Sequence, residues 1–278
     1  MFDLYAFADY SGSLREVEQR KRIALSVIRK VDRAGESPET RVGFTRKTLL
    51  LTFRQMLQQA TECGERVVFG FDHNYSFPIG FYEAVTGHPW TNWRQVLRLL
   101  AEGKVAEDPR GWARMANLKV ARRFELETDG PFWGPHFEPR KKPDFPYEEI
   151  LRERRLVEER CPRMKTVFQL GGAGSVGLQS LFGMFYLHQL LLFCDEAGIQ
   201  LHCWPFDGME IPSKGHVLVE MYPTLFNQGQ RTDQKDAEEC AVWLAEQDKL
   251  GCLQNWLEPD LDHLEKERVA LEGWALGV

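Results

Sequence analysis

Three acidic residues close apolar runs in this chain. Asp9 ends LYAFAD, Asp72 ends RVVFGFD, and Glu220 stands near the end of HVLVEM, just ahead of Tyr222-Pro223. Two more, Asp233 and Asp236, follow Thr232 at a spacing of three and so share one face of a first helical turn. An unpaired carboxylate inside an apolar layer costs several kcal/mol, so an acid at the end of a buried strand must meet water, a donor or a cation. Such acids belong at the edge of the core, where chemistry can happen. Each also has a plainer reading. Asp9 can open an Asx-turn with Ser11 and Gly12, and Asp233 with Asp236 can simply complement the amide dipoles of a helix start.

The elements that must position these acids follow from patterning. LYAFADYSGS reads as a strand buried on both faces that ends in a turn, and such strands sit mid-sheet. Charged Glu16–Arg22 leads into 23–28, IALSVI, a second strand running back antiparallel to complete a hairpin. Residues 33–39, RAGESPE, are turn chemistry, and 41–44 is either a third strand or a loop. Thr45 caps a helix whose apolar positions Leu49, Leu50, Phe53, Met56, Leu57 and Ala60 keep helical spacing up to Gly64. RVVFGF is the next buried strand. A crossover helix between two parallel strands brings Asp9 and Asp72 to the same sheet edge.

From Phe81 to Arg163 the chain turns aromatic, Pro-rich and charged, which reads as a helical and loop insertion at 81–165 between 1–80 and 166–278. Its basic clusters, Arg140-Lys141-Lys142 and Arg152 to Arg155, are candidate polyanion contacts among tryptophans, or a solvated surface. A long apolar helix runs to about Ala197, followed by strands at 199–204 and 216–221. Thr232 then caps a helix carrying Asp233, Asp236, Ala237, Cys240, Ala241, Trp243 and Leu244. Residues 254–278 keep helical periodicity, expected to pack outside the sheet.

Gly172-x-Gly174-x-x-Gly177 formally matches a dinucleotide fingerprint, but the next strand reaches an acid, Asp207, only after an over-long helix. The amides around Gly172, Gly174 and Ser175 can still receive a phosphate, or the glycines can serve close packing.

The formal net charge of −6 argues against a generally basic nucleic-acid-binding surface. Six cysteines without a CxxC pair read as reduced core residues. With no signal-type N-terminus and no apolar run of about 20 residues, the expectation is a cytoplasmic protein without a membrane partner.

The order of elements and the segments FADYSGS, FGFDHNYSFPIG, GAGSVGLQSL, VEMYPTLF and TDQKDAEECA resemble a poorly characterised family of predicted ribonuclease H-like nucleases. They span most of the chain outside the insertion and the tail, and the late acid pair resembles that of RuvC-type resolvases. The resemblance implies an α/β fold with a ribonuclease H-like mixed sheet flanked by helices, acting on nucleic acid or another phosphoester. Classical ribonuclease H carries an acid on its first helix. Here that helix's apolar face holds none and Glu62 stands near its end, which leaves Glu220 as the substitute. Carboxylates converging in one cleft call for divalent cations, and all-oxygen ligands suit Mg²⁺ or Mn²⁺ in a two-metal phosphodiester cleavage. On this reading Asp9 bridges the metals, Asp72 and Asp236 each hold one, Glu220 or Asp233 completes the shell, and His73 shuttles a proton.

Two other classes stand beside this one. Asp9-Tyr10-Ser11-Gly12-Ser13 loosely resembles the phosphate loop of actin-like and sugar-kinase-like phosphotransferases, which would make Ser11, Gly12 and Ser13 nucleotide contacts; tight ATP binding would favour that reading. A non-catalytic binding module on the same fold would show no metal binding at millimolar Mn²⁺.

Overall fold

The computed structural model describes residues 2–30, 38–227, 229 and 231–278. In chain order the elements are β1 (Leu4–Asp9), α1 (Glu16–Arg22), β2 (Ala24–Arg29), β3 (Glu39–Val42), α2 (Arg46–Cys63), β4 (Val67–Phe71), α3 (Phe81–Thr86), α4 (Arg94–Glu102), α5 (Pro109–Arg123), α6 (Leu156–Arg160), α7 (Gly177–Ala197), β5 (Leu201–Cys203), β6 (His216–Met221), α8 (Asp233–Lys249), α9 (Leu253–Trp256), α10 (His263–Glu272) and β7 (Ala275–Leu276). Contacts divide the chain into two units, one of Met1–His73, Gln189–Asp260 and Ala275–Val278, the other of Asn74–His188 and Leu261–Trp274.

The first unit is an α/β structure built on a mixed sheet of order β3-β2-β1-β4-β6-β5, with β7 also on β6. β1 lies at its centre, antiparallel to β2 and parallel to β4. Every residue of β1 is buried, as its continuous apolar run requires. Alternation of side chains assigns the two faces. Phe69 and Phe71 of β4 meet Phe53 of α2, with ring centroids 5.1 and 4.9 Å apart. On the opposite face Tyr5 reaches α8, donating its hydroxyl to the Asp248 carboxylate at 2.6 Å. Asp248 also accepts the Phe2 amide at 2.7 Å, so the C-terminal end of α8 is tied to the start of β1.

Helix boundaries follow the capping chemistry. The Thr45 and Thr48 side chains form a capping box at the start of α2, and Gly64 closes it in the left-handed region at φ 70°. Thr232 caps α8 by accepting the Lys235 amide. Three expectations change. Glu16–Arg22, expected as a charged lead into a hairpin, is a helix, with Glu16 and Glu18 in its first turn and Arg20, Lys21 and Arg22 in its last, matching the dipole. The undecided 41–44 stretch gives up Val42 and Arg41 to the exposed edge strand β3. The tail is helical through α10, but Ala275 and Leu276 enter the sheet parallel to β6 instead of packing outside it. The predicted turn at 33–39 falls mostly on residues outside those described.

The second unit contains all of the 81–165 stretch together with 74–80, 166–188 and 261–274. Fully buried Phe77, Phe81, Phe132 and Phe168 form its centre, the first two stacked at 4.0 Å. Beside them is a buried polar network. Arg155 and Glu158, both 0% exposed, pair at 2.8 Å, and Glu158 also accepts the Asn74 side-chain amide at 2.6 Å. Glu272 accepts the Ile79 and Leu156 amides and the Arg268 guanidinium. The basic clusters that the sequence offers to a polyanion are drawn into local pairs: Arg140 with Glu138, Lys142 with Glu153, Arg152 with Glu148 and Arg155 with Glu158. Helix α7 is long and apolar enough to cross a membrane by length and composition, which the sequence reading did not anticipate; 56% of that window is buried inside the protein.

Replacing Asp248 by Ala strands the Phe2 amide and leaves the buried Tyr5 hydroxyl only the Phe2 carbonyl at 3.0 Å, so the expected loss is about 1–3 kcal/mol in urea unfolding with an unchanged m-value. Asp248→Asn, which keeps one acceptor, should lose roughly half as much. Equal losses in the two variants would show that packing rather than these hydrogen bonds holds α8.

Candidate functional site

The register of the two central parallel strands pairs Ala8 of β1 with Phe71 of β4, so the next residues, Asp9 and Asp72, emerge side by side at the C-terminal sheet edge. The Asp72 carboxylate accepts the Tyr10 backbone amide at 2.6 Å, which fixes it against the end of β1. Asp9 is only 6% exposed, and its carboxyl is hydrogen-bonded to that of Asp72. Two carboxyls can share a hydrogen bond only when one of them holds the proton. Burial, first of all, then the charge and hydrogen bond of Asp72, then Asp233 and Asp236, push the Asp9 pKa well above the ordinary carboxylate range.

Asp233 and Asp236 come from the first turn of α8, which packs over β1 and β2. The helix buries Ala237, Cys240, Ala241, Leu244 and Asp248, the i, i+3, i+4 stripe that faces the sheet. Asn227 donates its side-chain amide to Asp236 at 2.6 Å and sets the direction of that carboxylate. Asp233 is raised by burial, lowered by Arg22 and raised by Asp236. The fully buried Cys240 thiol senses the same group of charges: burial raises its pKa most, followed by Asp72, Asp9 and Asp236. Four aspartates from β1, the end of β4 and α8 are thus brought into one electrostatic neighbourhood.

The remaining sequence candidates lie elsewhere or are otherwise engaged. Glu220 is buried and pairs in register with Phe71, so on a regular pleat it leaves the sheet on the α2 face, whereas Asp9 and Asp72 belong to the α8 face. It is not among the leading influences on Asp9. His73, also buried, stacks on Phe71 at 5.5 Å and meets Tyr10 edge-on at 5.0 Å. In the loop after β1, the Ser11 hydroxyl accepts the Ser13 amide and the Ser13 hydroxyl accepts the Arg15 amide. Buried Arg46 donates to the Ser11 and Ser13 carbonyls at 2.6 and 2.9 Å, and Gln19 donates to the latter. With the Tyr10 amide on Asp72, the Tyr10, Ser13 and Arg15 amides are committed within the protein, and the Ser11 and Ser13 carbonyls are held by Arg46 and Gln19. Gly172, Gly174 and Ser175 belong to the second unit. There Gly172 and Gly174 adopt φ 98° and 70°, and a Cβ on Gly177 would approach two backbone carbonyls to 2.5 Å, which is the close-packing role.

Arg46, Gln19 and Asn227 are supporting residues that sequence reasoning missed. Nothing local marks Arg46 or Gln19, because each acts on a loop distant in the sequence. Asn227 stands beside VEMYPTLF, and its partner is nine residues on.

The donor set is all oxygen, and its crowded negative charge is of the kind that a hard divalent cation neutralises, so by chemistry it fits Mg²⁺ or Mn²⁺. Among the described residues, no three His, Cys, Asp or Glu side chains are grouped closely enough to hold a metal ion as they stand. This chain matches no protein-family model, no curated protein and no solved structure.

A group whose folded pKa is raised stabilises fully below its unfolded value, and that contribution is lost as pH rises through the folded value. The Asp9 contribution is therefore complete below about pH 4 and declines above it. Asp9→Asn places a neutral donor against Asp72, so its unfolding free energy should fall less steeply than wild type between pH 4 and 7 and should equal or exceed it at pH 7. Superimposable pH profiles would mean that Asp9 carries no such burden.

Proposed function

We propose that this chain is a metal-dependent phosphodiester hydrolase of the ribonuclease H-like type, acting outside any membrane in the cytoplasm. The observation that carries the reading is the register that sets buried Asp9 beside half-buried Asp72 at the end of two parallel strands, with Asp233 and Asp236 in the first turn of α8. The sheet order, with an antiparallel β2 and β3 beside parallel β1 and β4, supports the same reading. Asp9, Asp72 and Asp236 are the residues that would hold the cation, and Asp233 the one that tunes its charge. A divalent ion bound there supplies an activated water and stabilises the leaving oxygen. The chain's own part is orientation. Tyr10 N–H fixes Asp72, Asn227 fixes Asp236, and the aromatic faces of Phe71 and Tyr10 fix the His73 ring, the proton-carrying candidate beside Asp72.

The phosphotransferase alternative rests on the 10–15 loop, where the Tyr10, Ser13 and Arg15 amides are already taken by Asp72, Ser11 and Ser13. The non-catalytic alternative draws on the lack, among the described residues, of three ligands already grouped for a metal. Thermal melts separate it from the hydrolase reading. Millimolar Mn²⁺ should raise the wild-type melting temperature, since a ligand at 100 times its Kd adds about 2.7 kcal/mol, and should leave Asp9→Asn and Asp72→Asn unmoved. In parallel, hydrolysis of bis(p-nitrophenyl) phosphate should require Mn²⁺ or Mg²⁺ and drop at least 100-fold in either variant. Metal shifts of equal size in wild type and both variants would remove these acids from any metal site.

A further inference from the structure

The sequence of α5, PRGWARMANLKVARR, holds five cations and no anion in a chain whose net charge is −6. Arg114, Lys119, Arg122 and Arg123 are exposed, and none of the five makes an ion pair with a carboxylate among the described residues. This sets α5 apart from Arg140, Lys142 and Arg152, each of which has an acidic neighbour. Cations in a last helical turn complement the dipole, which accounts for Arg122 and Arg123 but not for Arg114 or Lys119.

Trp112, Met115, Lys119, Arg122 and Arg123 follow at spacings of three and four and so share one helix face. Lys119, Arg122 and Arg123 line a concavity of about 560 Å³ with Val85 and Thr86 at the end of α3. A second concavity of about 630 Å³ shares Val85 and Lys119 and continues past Met115 to Trp112. Trp112 is held by Phe77, Phe81 and Phe132, and Met115 is 52% exposed. Glu102, Glu107 and Asp108 line the far end of this second concavity together with Lys104, which pairs with Glu107, so the surface is polar in direction: cationic at the α5 C-terminus, apolar in the middle, net acidic beyond.

We propose that this face of α5 docks a single-stranded nucleic acid, with a backbone phosphate among Lys119, Arg122 and Arg123 and an unstacked base against Met115 and Trp112. Arginine's fork suits a phosphate diester, and an aromatic-lined apolar step accepts a base whatever its identity. The acids at the far end repel a second phosphate and can accept hydrogen bonds from a base's amino groups. A concave surface of this kind follows a strand better than it follows a flat lipid headgroup layer. The identity of the polyanion rests on the hydrolase reading, whereas the surface itself lies wholly in the second unit.

The test is fluorescence anisotropy of fluorescein-labelled 12-nucleotide single-stranded DNA and RNA, with the full chain carrying Asp9→Asn, in EDTA, from 50 to 200 mM salt. Lys119→Gln/Arg122→Gln should weaken binding at least 10-fold at 50 mM salt. It should also lower the slope of log affinity against log salt by about 0.7, one single-strand phosphate contact. Arg140→Gln/Lys142→Gln should stay within twofold. The proposal is overturned by equal loss in both double variants, by no binding of either strand, by tighter binding of duplex, or by equal binding to phosphatidylserine vesicles. Because binding is read without hydrolysis, loss of phosphodiesterase activity with binding intact counts against the proposed function alone, and intact activity without α5-dependent binding counts against this surface alone.

Discussion

The structure of the first unit turns on two carboxyls placed side by side by a parallel strand pairing. Once β1 and β4 align Ala8 with Phe71, Asp9 and Asp72 have nowhere else to go, and the depth of the edge leaves Asp9 almost without solvent. A buried carboxylate set against a second, half-buried one disfavours the charged form of both. The chain relieves this in three ways. The Tyr10 amide is donated to Asp72, the raised pKa of Asp9 favours its protonated form, and Asp233 and Asp236 stand in the first turn of α8, where the helix dipole favours negative charge. None of these removes the accumulated negative charge, and that residue of electrostatic strain is the property a cation or a proton would exploit.

Much of this arrangement is legible from patterning because it rests on local signals. Continuous apolar runs reveal β1, β4 and β6, and Thr45 and Thr232 announce α2 and α8. What escapes is what depends on parity or distance. Glu220 stands one residue before the end of its strand, whereas Asp9 closes β1 and Asp72 follows β4, and the register places it level with Phe71; a shift of one residue moves a side chain to the other face. No single strand reveals its partner's register. Helix α1 escapes because its seven residues carry charge rather than an apolar stripe. β7 is too short to show a period, and it joins the sheet only because β6 offers its edge.

Charge misleads in a related way. A run such as Arg140-Lys141-Lys142 looks free in sequence because its partners, Glu138 and Glu153, stand outside the run, and the fold closes those pairs at the surface. Such pairs contribute little stability, but they dilute the positive field. Helix α5 looks less basic, since its cations are spaced by apolar residues. That spacing is what gathers Lys119, Arg122 and Arg123 on one face.

The placement of the acids on α8 follows from a match of lengths. Along α8, Asp233 and Asp248 are separated by about 22 Å at 1.5 Å per residue, and along β1, Phe2 and Asp9 by about 23 Å at 3.3 Å per residue. Because the helix runs against the strand, fastening its C-terminal end to Phe2 and Tyr5 brings its N-terminal end to Asp9. An acid at a helix C-terminus is opposed by the dipole, so Asp248 makes a poor surface residue there. Burial against a backbone amide and a tyrosine hydroxyl, whose own pKa is raised by burial first and then by that carboxylate, turns the same residue into a fastening. The acid that does no chemistry at one end of the helix thereby sets the position of the two that stand at the other.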